Sequence, residues 1–171
     1  MRHLLLVVHP GSCCGSADFN CGEENAAAIR DALTADLEGW NGGVAVIDGE
    51  LSLELRQRAY RGLGAALETA LERAAGSGLP AIRIRGCSME DFNQVRAAAS
   101  LAESLSLGAG GWNVEVTGAW YEPDGAEGCV NSVVEALARV GVSATIRPSA
   151  AVLDAEPAPT AGSAFSSAPC A

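Results

Sequence analysis

The sequence has few basic residues, few aromatic residues and no long hydrophobic run. Lysine and arginine together number 11, against 21 aspartate and glutamate residues, which gives a net charge of −10. An acidic chain repels the phosphate backbone of nucleic acids, so we expect no nucleic-acid partner. No apolar stretch approaches the roughly 20 residues that cross a bilayer, so we also expect no membrane partner.

The opening segment, MRHLLLVVHPGSCC, has too short an apolar part to be an export signal. Its apolar core is only LLLVV, and His9 and Pro10 end it. A signal peptide has an apolar core of about 7–15 residues. We therefore interpret this segment as a buried strand and expect a cytoplasmic protein. Thiols are normally reduced in that compartment, so most of the six cysteines should be free of disulfide bonds.

Several common ligand-binding motifs are absent as well. There is no C-x-x-C pair, which argues against a zinc ribbon. The loop after the first predicted strand is neither G-x-G-x-x-G nor a Walker loop, so nucleotide phosphate binding has little support. We expect no bound metal and no organic cofactor.

What the sequence does contain is a regular alternation of strand and helix patterns. The apolar run at 4–8 predicts a central strand covered on both faces. At 81–85, isoleucine alternates with arginine, which predicts a strand at an edge. Five strands separated by helices predict an α/β fold of three layers, with a parallel sheet of at least five strands and helices on both faces. The predicted strands are 3–8, 44–48, 81–85, 112–118 and 143–147, and the predicted helices begin near Glu23, Ser52, Ser88 and Cys129.

One domain accounts for most of the chain. A length of 171 residues suits a single hydrophobic core. We place this domain at 1–154, just beyond the last predicted strand. Residues 155–171 are rich in alanine, proline and serine without periodicity, which is typical of a tail.

Side chains that could take part in catalysis or ligand binding cluster after the predicted strands. In open parallel sheets, ligands bind outside the carboxyl ends of the strands. The candidates at this edge are His9, Cys13 and Cys14 after the first strand, Asp48 after the second, Arg85 and Cys87 after the third, and Tyr121, Glu127, Gly128 and Cys129 after the fourth.

Cys129 has the most favourable surroundings for a nucleophile. It opens a predicted helix, whose free backbone N–H groups stabilise a thiolate and can hold an oxyanion. Gly128 before it lets a substrate approach the backbone. We therefore predict that the pKa of this thiol lies below its ordinary value. A buried thiol that packs as a small apolar side chain would fit the same position.

The order of elements around Cys129 matches a pattern found in a known family. A strand ends at Gly118, the pair Cys129-Val130 opens a helix, and Gly141 precedes the stretch VSATIRPSA. In these features residues 81–150 resemble the isochorismatase-like cysteine hydrolases. The resemblance implies the same three-layer fold, a homo-oligomer, and hydrolysis of a small amide or vinyl ether through Cys129.

The resemblance also implies partners for the thiol. The family carries an aspartate at the end of its first strand and a lysine at the end of its third, where this chain has His9 and Arg85. His9 would take the proton of Cys129, and Arg85 would stabilise the thiolate or hold a substrate carboxylate. The candidate binding residues around this set are Gly128, Cys13, Cys87, Tyr121 and Glu127.

Two other interpretations stay open. The thiols Cys13, Cys14 and Cys87, together with His9, are ligands of the type that suits a redox or metal site, although their spacing matches no standard one. Alternatively, the chain is a non-catalytic domain that binds a ligand or a partner chain at the same edge.

Overall fold

The computed structural model describes residues 1–10, 23–49, 63–87, 93–118, 121, 128–147 and 149, with only the backbone at 23–26, 49, 86 and 87. Strands and helices alternate along these residues. The strands are β1 (Arg2–Val8), β2 (Gly43–Gly49), β3 (Ala81–Cys87), β4 (Trp112–Gly118) and β5 (Ala144–Ile146). The helices are α1 (Glu23–Gly39), α2 (Leu63–Gly76), α3 (Asn93–Ser104) and α4 (Cys129–Arg139), with a short 3-10 helix at Leu107–Ala109.

The five strands form one parallel sheet in the order β3-β2-β1-β4-β5. The apolar strand β1 is central and β3 lies at an edge, so both predictions are confirmed. The chain extends the sheet from β1 to β2 and β3 in one direction, then returns to the other side of β1 with β4. The strand order therefore reverses between β1 and β4, which is where open sheets of this kind bind ligands.

Helices cover both faces of the sheet because the side chains of the strands alternate between them. Leu4, Leu6 and Val8 of β1 lie in a core with residues of α3 and α4. Leu5 and Val7 lie in a second core with residues of α1 and α2. The predicted three-layer α/β fold is confirmed.

The strand boundaries lie within two residues of those predicted from the sequence. The predicted strand at 112–118 has those bounds, and helices begin at Glu23 and Cys129 as predicted. The helix starts predicted near Ser52 and Ser88, and the predicted tail at 155–171, lie outside the described residues. Within the described part of the chain, no helix is both long and apolar enough to span a bilayer.

Candidate functional site at the carboxyl edge of the sheet

The ends of β1 and β4 meet at the carboxyl edge of the sheet, which is the edge where all five strands end. Val8 of β1 pairs with Gly118 of β4. A Cβ atom at Gly118 would lie 1.9 Å from the carbonyl oxygen of Val8, and the φ angle of Gly118 is +129°. Only glycine fits there, because both the space and the backbone conformation exclude a side chain. The two strand ends therefore approach each other with no side chain between them.

His9 follows β1 directly and is almost fully buried, with 1% of its surface exposed. Its backbone N–H donates a hydrogen bond to the carbonyl oxygen of Ile47, at 2.8 Å, which fixes the residue beside the end of β2. Its φ angle is +44°, a left-handed conformation that is strained for a residue with a side chain. Within the described part of the chain, neither ring nitrogen has a hydrogen-bond partner.

Burial lowers the pKa of His9 to about 4, and the nearby charge of Asp48 only partly opposes this shift. The imidazole is therefore neutral at pH 7. A neutral imidazole has one N–H donor and one nitrogen acceptor. His9 thus offers a ligand one hydrogen bond of each kind.

Asp48 and Arg83 form an ion pair beside this histidine. The Nε atom of Arg83 lies 3.0 Å from a carboxylate oxygen of Asp48, and the same guanidinium contacts Glu68 of α2. Two carboxylates hold Arg83, and its side chain is only 17% exposed, so this arginine of the edge strand does not point freely into solvent.

The prediction of a low pKa for Cys129 is also wrong. Burial raises the pKa of this free thiol to about 11, and its own backbone N–H lowers the value only in part. The side chain packs against the apolar core under α3 and α4. Desolvation of the thiolate therefore outweighs the stabilisation that a helix N-terminus provides. This is the alternative that the sequence left open, a thiol that packs as a small apolar group.

The structure does not assemble Cys129, His9 and Arg85 into one catalytic set. His9 forms no hydrogen bond with Cys129, because both of its ring nitrogens lack partners among the described residues. Arg85 is exposed on β3, which β2 and β1 separate from β4. Three strand spacings of about 4.8 Å each lie between β3 and β4. No proton relay among the three residues follows from this arrangement.

The remaining predicted site residues divide into described and undescribed positions. Gly128 caps α4 with a φ angle of +107°, and it has no side chain that could bond to the free N–H groups of the helix. Tyr121 is half-buried against the core that also contains Cys129. The side chain of Cys87 and all of Cys13, Cys14 and Glu127 lie outside the described residues.

The redox or metal interpretation therefore stays a prediction, since it depends mainly on those cysteines. Among the residues that are described, no group of three or more histidine, cysteine, aspartate or glutamate side chains could hold a metal ion.

Sequence analysis missed Gln94, in the first turn of α3. Its side chain is fully buried, and both amide atoms lack a hydrogen-bond partner within the described residues. Because α3 follows β3, this turn lies on the carboxyl side of the sheet. The signal was present in the sequence: Gln94 occupies the position four residues before Ala98, on the apolar face of the helix.

A surface groove of about 430 Å³ lies elsewhere, between α3, the 3-10 helix and the end of α4. It is lined mainly by small side chains, including Ala99, Ala102 and Ala109, together with the exposed Val140. It contains no buried charged side chain that would orient a ligand. The carboxyl edge, with its buried and unpartnered polar groups, is therefore the better candidate site.

Comparison with known proteins gives no family assignment. No family model matches the chain, and no curated protein sequence matches it. A solved structure of a universal stress protein in complex with cAMP is similar, with a TM-score of 0.37 and 16% identity. That alignment covers 86% of this chain and 98% of the other.

The resemblance to isochorismatase-like hydrolases is therefore wrong. Neither a family model nor a curated sequence supports it. The predicted hydrolase activity, with Cys129 as its nucleophile, is wrong as well. The raised pKa of Cys129 gives the physical reason, because the thiolate that such a reaction needs is rare at neutral pH.

Proposed function

We propose that this protein is a non-catalytic domain that binds a small polar molecule at the carboxyl edge of the sheet, between the ends of β1 and β4. One observation carries the proposal: His9 is buried at the carboxyl end of β1, and neither ring nitrogen has a partner among the described residues. A buried polar group without a partner costs roughly 1–3 kcal/mol. A ligand that bonds to the ring would remove this cost, whereas the described residues do not.

The location supports the same conclusion. The strand order reverses between β1 and β4, and ligands of open α/β sheets bind at such points. Gly118 keeps this point free of a side chain between the strands. The amino end of α4 begins after β4, and its dipole favours a negatively charged or electronegative group nearby. The ligand that fits is small, makes hydrogen bonds to a neutral imidazole, and carries its electronegative part toward α4.

Binding can be tested with a panel of small molecules and two histidine variants. The panel consists of phosphate, acetate, ribose, nicotinamide, adenosine and cAMP, the last being the ligand of the similar universal stress protein. His9→Phe removes both nitrogens and keeps a ring of similar size. His3→Phe makes the same change at the exposed opposite end of β1.

We expect at least one compound to raise the Tm of the natural protein and to bind in calorimetry. The affinity should fall at least about tenfold in His9→Phe, since a lost hydrogen bond and an unpaired ligand group cost about 1–3 kcal/mol. It should not change in His3→Phe. The proposal is wrong if no panel member binds at millimolar concentration, or if His9→Phe binds as tightly as the natural protein.

A further inference from the structure

Asp48 is the residue of β2 that lies beside His9. In the parallel register of β1 and β2, Val8 pairs with Ile47, and the backbone N–H of His9 donates to the carbonyl oxygen of Ile47 at 2.8 Å. The residues that follow this pair, His9 and Asp48, are therefore neighbours across one strand spacing of about 4.8 Å. The charge of Asp48 also acts on the ring, since it opposes the effect of burial on the pKa of His9.

Both side chains lie on the face of the sheet that α1 and α2 cover. Val7, two residues before His9, and Val46, two residues before Asp48, belong to the buried core on that face. Residues two apart on a strand point to the same face of a sheet. The side chain of Asp48 is 12% exposed, whereas His9 is 1% exposed. The pair therefore extends from the protein surface into the interior.

The charges around Asp48 limit the kind of ligand that fits. The Nε atom of Arg83 lies 3.0 Å from a carboxylate oxygen of Asp48, and these two largely buried charges sum to zero. Glu68, the other partner of Arg83, has a side chain that is 58% exposed, so water screens its charge. An ammonium or a carboxylate placed beside the buried pair would add a charge without a partner, which is costly. A neutral ligand that donates hydrogen bonds avoids this cost.

We propose that Asp48 is a second ligand-binding residue of the site inferred above, and that Asp48 and His9 together hold two neighbouring hydroxyl groups of a neutral sugar or nucleoside. This inference rests on the proposed function, because it adds a residue and a ligand class to the same site. One hydroxyl donates to the carboxylate of Asp48. The other donates to the unprotonated ring nitrogen of His9 or accepts from its N–H, so that a ring nitrogen gains the partner that the described residues do not provide.

The ligand class is tested on the natural protein with two matched pairs of probes: ribose against 2-deoxyribose, and adenosine against 2′-deoxyadenosine. The second member of each pair lacks one hydroxyl of the neighbouring two. We expect calorimetry to show a preference of roughly tenfold or more for the first member of at least one pair, because a hydrogen bond to a charged acceptor is lost in the second. A preference within the ribose pair identifies a free sugar, and one within the adenosine pair alone identifies a nucleoside.

Two variants test whether Asp48 causes this preference. Asp48→Asn keeps the shape of the side chain and removes its charge, and a neutral amide oxygen is a weaker acceptor than a carboxylate. The preference should fall to about threefold or less. Glu68→Gln is the matched control, because it takes a carboxylate from the same Arg83 at an exposed position. It should leave the preference unchanged. The natural protein is measured without any substitution, so the inference stays testable if Asp48→Asn does not fold.

The outcomes separate this inference from the proposed function. If the natural protein binds panel compounds through His9 but shows no preference within either pair, the role of Asp48 is wrong and the site stands. The same conclusion follows if Asp48→Asn keeps the full preference, or if Glu68→Gln loses it equally. If nothing binds to the natural protein, both proposals fail.

Discussion

The two ends of β1 each carry a histidine, and their surroundings differ sharply. At the amino end, His3 is exposed, and its Nδ1 lies 3.3 Å from the side-chain nitrogen of Asn113. Its ring also makes an edge-to-face contact with the ring of Trp40, with 6.3 Å between the ring centres. At the carboxyl end, His9 is buried and strained, and its ring has no hydrogen-bond partner in the described part of the chain. A histidine thus packs against its neighbours at the amino end of β1, whereas the histidine that follows the carboxyl end has no hydrogen-bond partner for its ring among the described residues.

Further contacts at the amino edge, near His3, involve tryptophan side chains. The guanidinium of Arg2 lies 4.1 Å from the centre of the Trp112 ring, and the indole nitrogen of Trp40 donates to the carbonyl oxygen of Gly43 at 2.9 Å. One exception is the indole nitrogen of Trp112, which is buried without a partner. On the carboxyl side, His9 and Gln94 contribute two such atoms each. The contrast is between aromatic packing at the amino edge and unpartnered buried polar atoms on the carboxyl side, where the Asp48–Arg83 ion pair also lies.

The largest expected effect compares glycines at the two edges. Gly118→Ala should destabilise the protein by at least about 3 kcal/mol, because its Cβ would overlap the carbonyl oxygen of Val8. Gly110→Ala, just before the amino end of β4, meets nothing within 4 Å at a φ angle of +83°. It should cost less, about 1–3 kcal/mol, because only the backbone conformation, with a ψ angle of 178°, disfavours a side chain there. Urea unfolding measures both, and equal losses would show that the strand ends are not tightly apposed.

A smaller effect comes from the titration of His9. Its pKa is about 4 in the folded protein and near the ordinary 6.5 when unfolded, so the unfolded chain binds more protons between these values. This residue therefore gives no pH dependence above pH 6.5, and the folded state loses stability as the pH falls from 6.5 to 4. The loss should be about 3 kcal/mol, at 1.36 kcal/mol for each pKa unit.

Variants at the two histidines isolate that contribution. The difference in unfolding free energy between pH 7 and pH 4.5 should shrink by about 2 kcal/mol in His9→Phe and stay unchanged in His3→Phe. Carboxyl groups elsewhere contribute equally to all three proteins. An undiminished pH dependence in His9→Phe would mean that the ring is accessible to protons in the folded state.

The smallest effect concerns the ligand-free protein at pH 7. His9→Phe should be more stable than the natural protein by about 1 kcal/mol, because it replaces an unsatisfied buried imidazole with an apolar ring. His3→Phe should change the stability by less than about 0.5 kcal/mol, as is usual for exposed positions. A clear loss of stability in His9→Phe would show that the imidazole makes a hydrogen bond in the free protein.

The layers of the fold and the location of the candidate site follow directly from the sequence. Continuous apolar runs define the central strands, and strand ends define the edge at which ligands bind. The reactivity of the side chains at that edge cannot be read from the sequence so readily. Whether Cys129 is activated depends on what covers it, and the core under α3 and α4 reverses the effect expected from the helix N-terminus.

Contacts between residues distant in the sequence account for the other differences between the predictions and the structure. The sequence shows Arg83 alternating with isoleucine, but not that Asp48 and Glu68 lie beside it. Gln94 fits the apolar face of a helix by spacing alone, yet its lack of partners is visible only when the surrounding elements are packed. Local sequence patterns predict the helices, the strands and their buried faces. The charge state of a side chain, and whether its polar atoms are hydrogen-bonded, depend on residues far away in the chain.

The central claim is that the free nitrogens of His9 are the binding groups of a ligand site. The most direct test is a long-range ¹H–¹⁵N NMR correlation of the two histidine rings, recorded while a panel compound that raises the Tm is added. The account predicts that the ring nitrogen signals of His9 shift in a saturable way and that those of His3 do not move. Saturable binding that leaves the His9 ring signals unchanged would contradict it.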